Sequence, residues 1–262
     1  MDAQRGVFAT RSVTHLALLV VLVAAGFAST GGCRTTPGAS GRGSPKGRAV
    51  LVRGLMDVFS LGMNEIAETL AERGFEATAI SGALRVEEGR RLIEQAEAGE
   101  LPRPLVIAGH SYGGDDAVRL TRQLERAGVT VDKLILIDAT TPPPVPGNVR
   151  KVFNIYKSSP GTDWVPALRG VPINDRRRAS DLPATRVLNL DLRKADDPAL
   201  RKVTINHFNI DASSRVQELV VEHALAARED EADKPWEAGE SPYRLLLPRE
   251  ETRGEQTPAA SR

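Results

Sequence analysis

From residue 49 to residue 228 the sequence alternates short apolar runs with stretches of helical periodicity, and this alternation constrains the fold more than any other feature. The run at 49–52 stops at Arg53-Gly54, as a strand buried on both faces does. Residues 60–73 place Ile66, Ala67 and Leu70 at helical spacing, and Gly74 follows as a stop. Residues 75–80 read as a strand and 86–98 as a second helix. A third apolar run, 105–108, precedes a helix over 113–127 that ends at Gly128. Residues 133–138 form the clearest strand pattern, 149–156 and 186–192 give two more, and 213–227 close with an amphipathic helix. Strands separated by helices predict an α/β fold: a mostly parallel central sheet of about six strands with helices on both faces, in three layers. No internal repeat is visible.

The flanks differ from this core in charge and composition. Residues 1–48 carry six basic residues against one acid, residues 229–262 carry five against nine, and the middle balances 24 against 24. A neutral middle presents no basic face for a phosphate backbone, so nucleic acid is excluded as a partner. One cysteine excludes an internal disulfide framework and a Cys-rich zinc site, and four histidines leave little room for a metal cluster. At the N-terminus, Arg5 and Arg11 precede an apolar run at 16–28 and the small residues 29–32. That run is too short to span a hydrocarbon core of ~30 Å and has the proportions of an export signal. The only cysteine, Cys33, follows directly, and residues 34–48 have the Gly, Ser and Pro content of a flexible linker. Residues 229–262 lose the periodicity and gain Glu, Arg and Pro, which predicts a charged, largely disordered tail. The expected organisation is a signal over 1–33, a linker over 34–48, a folded domain over 49–228 and the tail over 229–262.

The chemistry concentrates at Gly109-His110-Ser111-Tyr112-Gly113, a G-x-S-x-G sequence between a buried strand and a helix. A sharp strand-to-helix turn puts the serine in a strained backbone conformation, and side chains two positions either side would collide. Such a turn exposes the Ser111 Oγ at the carboxyl edge of the sheet, where the helix dipole favours developing negative charge. A nucleophilic serine needs a base. His15 lies in the export signal, His110 is predicted to point away from the nucleophile, and His223 aligns with Val216, Leu219 and Val220 on the core face of the last helix. His207 remains, in the loop between the last strand and the last helix, and is assigned as the base. The acid that orients it has three candidates near strand ends: Asp138, Asp163 and Asp191. Rigidity at the end of the strongest strand favours Asp138, with Asp163 as the alternative.

The strand–elbow–helix unit and the order Ser…Asp…His resemble the α/β-hydrolase fold over residues 49–228. Leu136-Ile137-Asp138-Ala139 is similar to the Leu-Asp-Pro segment of the pancreatic-lipase branch, which implies Asp138 as the acid, with Ala139 standing where that branch has proline. Arg53-Gly54-Leu55 occupies the place of the fold's His-Gly-x segment. The resemblance implies an oxyanion hole built from the N–H groups of Leu55 and Tyr112, with Met56 as the fallback donor. The 140–148 segment is too short for the usual cap, which implies an open site. Cys33 after Gly31-Gly32 resembles the lipobox of bacterial lipoproteins, which implies lipidation at Cys33, a membrane anchor, and a place in the cell envelope. The expected function is a serine hydrolase that cleaves a small-molecule or lipid-like carboxylic ester or thioester, needing no cofactor and no metal. An acyltransferase on the same residues and a non-catalytic envelope interaction protein are the alternatives.

Overall fold

Six strands, all parallel, pair in the order β2-β1-β3-β4-β5-β6 in the computed structural model, which describes residues 44–54, 60–158, 165 and 169–227. The strands are β1 (Arg48–Arg53), β2 (Glu76–Ser81), β3 (Leu105–His110), β4 (Val131–Ile137), β5 (Val149–Tyr156) and β6 (Val187–Asp191). The helices are α1 (Gly62–Glu72), α2 (Arg85–Glu97), α3 (Tyr112–Arg126) and α4 (Ser214–Leu225). The expected α/β architecture is the one observed, with the predicted strands and helices present and their ends moved by one or two residues. The expected export signal over 1–33 with Cys33, residues 34–43 of the expected linker, Leu55, Met56, Asp163, residue 228 and the expected tail over 229–262 lie outside the described residues.

The continuous apolar runs follow from burial on both faces. Successive side chains of a strand point to opposite sides, so Ala49, Leu51, Val106, Ala108, Ile135, Ile137, Phe153 and Ile155 face one layer. There they meet Met63, Ile66 and Leu70 of α1 and Val216, Leu219 and Val220 of α4. The alternate residues Val50, Val52, Ile107, Leu134, Leu136 and Val152 face Leu92 of α2 and Val118, Leu120 and Leu124 of α3. Each large side chain buried in this way contributes about 1.5–3 kcal/mol relative to exposure. Right-handed crossovers explain the division of helices. The chain leaves β1 over one face to reach β2, then returns over the other face to β3 and continues that way to β4. The direction therefore reverses between β1 and β3, and the loops leaving their carboxyl ends diverge. A crevice opens where such a reversal occurs, and ligands bind there in open parallel sheets.

His223 takes the core position expected of it. Its ring lies 3.8 Å from that of Phe153, centroid to centroid, and its carbonyl accepts a 2.8 Å hydrogen bond from Lys133 Nζ. Burial, then the charges of Lys133 and Lys151, push its pKa down to about 3. An unfolded chain takes up this proton near pH 6.5, and the folded protein refuses it until far lower pH. The stability that neutral His223 contributes is therefore intact above about pH 6.5 and falls as the pH drops toward about 3. By linkage the loss from this one group between neutrality and pH 5 is about 2 kcal/mol. Urea unfolding of wild type and His223→Leu at about pH 7.5 and about pH 5 checks this. The drop in stability between the two pH values should shrink by about that amount in the variant, and an unchanged drop would contradict it.

Candidate active site

Ser111, Asp138 and His207 come from three different loops at the carboxyl edge of the sheet. Ser111 follows β3 directly and begins α3, with φ 56° and ψ −129°. Positive φ strains a non-glycine residue, and the turn is held against that strain by its neighbours. Its N–H donates to Ile137 O at 2.9 Å. The two glycines of the elbow are required by contact: a Cβ on Gly109 would lie 2.2 Å from Gly113 O, and one on Gly113 would lie 2.3 Å from Val52 O. Helix α3 thus runs closely against the backbone of β1.

Asp138 follows β4 by one residue, also at positive φ, 49°. In register His110 pairs with Ile137, so Ser111 and Asp138 leave neighbouring strands at the same level. The Asp138 Oδ1 accepts the Lys157 N–H at 2.8 Å, and Oδ2 accepts from His207 Nδ1 at 2.7 Å. A carboxylate can only accept, which places the His207 proton on Nδ1 and leaves the Nε2 lone pair free. That nitrogen lies 2.8 Å from Ser111 Oγ. Gly170 closes over the same carboxylate, and a Cβ there would stand 2.0 Å from Oδ1. All three side chains are nearly excluded from water, with Ser111 and His207 each 7% exposed and Asp138 1%. In such surroundings hydrogen bonds to developing charge are worth more than in water.

Two further groups hold the frame, and neither was legible in the sequence. Asp115 sits fully buried in the first turn of α3 and receives the N–H and hydroxyl of both Thr140 and Thr141 at 2.9–3.1 Å. It staples the turn that follows Asp138 to the helix that follows Ser111. Burial raises its pKa, and the hydrogen bonds from Thr141 and Thr140 oppose the shift. Lys157 links Asp138 to the loop that carries His207: its N–H binds Asp138, and its Nζ donates to Ile205 O at 2.5 Å and Lys202 O at 3.1 Å in that loop. Burial, then the nearby Arg193, lowers the Lys157 pKa, and Asp138 opposes that shift. The helical position of Asp115, four residues after Ser111, was its only signal in the sequence. Its partners are known only once β4 lies beside β3.

The remaining expected residues divide. Tyr112 is the first residue of α3, and its N–H is one of those at a helix start with no acceptor inside the helix. Its proposed companion Leu55, the fallback Met56 and the alternative acid Asp163 are outside the described residues. Asp191 ends β6 as expected but binds its own neighbourhood instead of the base. Its carboxylate accepts from Ser158 Oγ at 2.8 Å and from Arg193 N at 3.1 Å. His110 lies in a buried cluster with Ser60 and Asp211, and its Nε2 is 2.9 Å from the His207 carbonyl oxygen.

A parallel three-layer sheet carries a serine, a histidine and an aspartate joined in one hydrogen-bonded line at its carboxyl edge, an arrangement that can activate a serine hydroxyl for attack on an acyl carbonyl. Residues 92–156 match the sequence model of the Thioesterase domain family, a stretch that contains Ser111 and Asp138 and stops before His207. Among solved structures, the thioesterase domain of NocB from the nocardicin cluster is similar over 70% of this chain and 95% of its own, with 16% identity and a TM-score of 0.42. A protein from Xanthomonas campestris pv. campestris, assigned to the α/β hydrolase superfamily, covers 68% of this chain and 99% of its own at 19% identity and TM-score 0.34. The RedJ thioesterase of the prodiginine pathway in Streptomyces coelicolor covers 74% and 98% at 10% identity and TM-score 0.35. No curated protein matches the chain.

Proposed function

We propose that the protein hydrolyses an acyl ester or thioester through an acyl-enzyme formed on Ser111. The observation that carries this reading is the line Ser111 Oγ–His207 Nε2, 2.8 Å, and His207 Nδ1–Asp138 Oδ2, 2.7 Å, built on a strained elbow. His207 takes the proton of Ser111 as Oγ attacks the acyl carbonyl. Asp138 keeps the imidazole in the tautomer that can accept that proton and stabilises the imidazolium that forms. The carbonyl oxygen becomes an oxyanion held by the Tyr112 N–H and, in this proposal, the Leu55 N–H. His207 then returns the proton to the leaving alkoxide or thiolate. Water attacks the acyl-enzyme by the same route in reverse and releases the acid. No metal or cofactor enters these steps. The Thioesterase domain match over 92–156 favours the thioester.

Trapping the intermediate tests this. Incubation with an acyl thioester and with a p-nitrophenyl ester, quenched within one turnover, should leave one acyl mass on the peptide that contains Ser111. Adding a second acyl acceptor, an alcohol or amine, should leave the product a free acid. A product acylated on the acceptor would assign the acyltransferase alternative. The absence of any acyl adduct and of any turnover would assign the non-catalytic one.

We further propose that the chain is exported and attached to a membrane by lipidation of Cys33, on the strength of the basic, apolar and small-residue order that precedes that cysteine. Among the described residues no helix is long and apolar enough to cross a membrane; in this proposal the lipid on Cys33 makes the attachment. Wild type should fractionate with membranes of a bacterial host and Cys33→Ser should leave them. Mass spectrometry should find the mature chain beginning at an acylated Cys33, and a mature chain beginning elsewhere would overturn the proposal.

A further inference from the structure

Beside the Ser111–His207–Asp138 line runs a second buried set of hydrogen bonds that begins in the loop after β1 and ends on the backbone of the base. Gly54 N–H donates to Ser60 Oγ at 2.9 Å, Ser60 Oγ lies 2.8 Å from His110 Nδ1, and His110 Nε2 lies 2.9 Å from the His207 carbonyl oxygen. We propose that His110 is a positioning residue, which ties Gly54 and Ser60 to the histidine loop so that the base keeps its place beside Ser111. The proposal rests on the acyl-enzyme reading of Ser111.

With the His110 ring neutral, the chemistry allows only one arrangement of protons. A carbonyl oxygen accepts and never donates, so His110 Nε2 carries its hydrogen. A neutral ring then has a lone pair on Nδ1, and Ser60 must donate its hydroxyl hydrogen there. The Ser60 oxygen is left to accept the Gly54 N–H. The three bonds therefore run without a break or a reversal, and each depends on the next. His110 and Ser60 are each 1% exposed, so water offers no substitute partner. Burial, then the neighbouring His207, pushes the His110 pKa down to about 4, which keeps the ring neutral at ordinary pH.

Asp211 holds the far side of the same joint. Its Oδ1 stands 3.6 Å from His110 Nδ1, and the carboxyl group faces the backbone N–H groups of Gly62 and Met63 at the start of α1. Burial raises its pKa to about 6 against those N–H groups. The space is closed, since a Cβ on Gly62 would lie 2.2 Å from Asp211 O. The histidine loop is thus gripped at His207 by His110 and at Asp211 by α1, while Gly54 and Ser60 are joined to each other and to His110. All of these contacts converge on the one residue that precedes Ser111. Displacing a catalytic group by about 1 Å can cost on the order of 10²-fold in rate, which is the scale at which such a joint acts.

The experiment compares Ser60→Ala, His110→Gln and the double variant with wild type on one activated ester, reading kcat, KM, the rate of fluorophosphonate labelling and thermal unfolding. Glutamine keeps a donor for the His207 carbonyl, but its amide oxygen is set further out than the ring's Nδ1, so the link to Ser60 is strained in His110→Gln and absent in Ser60→Ala. Each should lower kcat and the labelling rate by roughly 10- to 100-fold with KM within about twofold and unfolding still cooperative. The double variant should be no slower than the slower single one, because a chain broken at one link is already broken. Ser60→Thr, which keeps the hydroxyl, should restore most of the rate. Single variants as fast as wild type, losses that multiply in the double variant, or a loss that lies in KM would each overturn the proposal. If His110→Gln fails to fold, Ser60→Ala and its threonine rescue decide the matter alone. Failure of wild type to label on Ser111 would instead overturn the acyl-enzyme reading.

Discussion

Ser111→Ala is expected to lower ester turnover by ~10³-fold or more and to abolish labelling by a fluorophosphonate, with the protein still folded. The size follows from the role. Without Oγ no acyl-enzyme forms, and a loss of that order corresponds to about 4 kcal/mol of transition-state stabilisation. The fold should survive because the backbone around the elbow is held by groups other than the hydroxyl. Ser111 N–H donates to Ile137 O, and the glycines on either side fit against each other and against β1 whatever the side chain. Alanine has the same strain at φ 56° as serine does. Circular dichroism and a thermal melt establish folding, and labelling followed by mass spectrometry reads the site. Labelling that persists at wild-type rate in the alanine variant would remove Ser111 from its role and the proposed function with it.

Asp138→Asn is expected to lower kcat by roughly 10²- to 10⁴-fold with little change in KM, and Asp163→Asn by less than about tenfold. Asparagine at 138 keeps the shape and can still accept the Lys157 N–H through its carbonyl oxygen. Its amide, however, turns a donor toward His207 Nδ1, where the carboxylate had accepted at 2.7 Å. The imidazole then favours the tautomer with its proton on Nε2, facing Ser111, and a nitrogen that already carries a proton cannot take another. The charge that stabilises the imidazolium is lost as well. Both effects fall on the chemical step and spare binding. The tight fit of Gly170 on the Asp138 carboxylate leaves the amide no room to turn aside. Pre-steady-state acylation of both variants on the same activated ester decides between the two aspartates, and a crippled Asp163→Asn beside a nearly normal Asp138→Asn would move the acid to the later loop.

Much of the frame was legible in the sequence because both faces of the sheet are buried. Runs such as the one at 133–137 can satisfy their burial only as interior strands, and the helices between them carry apolar residues on one side. Strand ends and helix ends follow locally too, since Gly74 and Gly128 supply positive φ where the chain leaves α1 and α3. The elbow was legible for a stronger reason: the contacts that forbid a side chain at 109 and 113 are short-range consequences of a strand turning into a helix. Elimination among four histidines then left His207, and the end of the strongest strand pointed to Asp138. The sequence alone could not choose among three aspartates, because a strand end says where a carboxylate starts and not where it is aimed.

What the sequence by itself determined was the order of strands and helices along the chain, the place of the strained serine at the elbow and a short roster of partners for it. These are properties of local periodicity, of turns a few residues long and of residue chemistry. Only the tertiary structure decided which partners meet. The lateral placing of β4 beside β3 sets Asp138 level with Ser111, and Thr140 and Thr141 within reach of Asp115. The reversal between β1 and β3 brings Gly54 and Ser60 against His110. The return of the chain after β6 brings His207 and Asp211 across the same edge. Residue pairs 50 to 97 positions apart, Ser60 with His110, His207 with Ser111 and with the ring of His110, are joined by hydrogen bonds of 2.8–2.9 Å. Their directions depend on side-chain geometry and on the exclusion of water. Those distances are set by the packing of the whole sheet, and no stretch of chain carries them on its own.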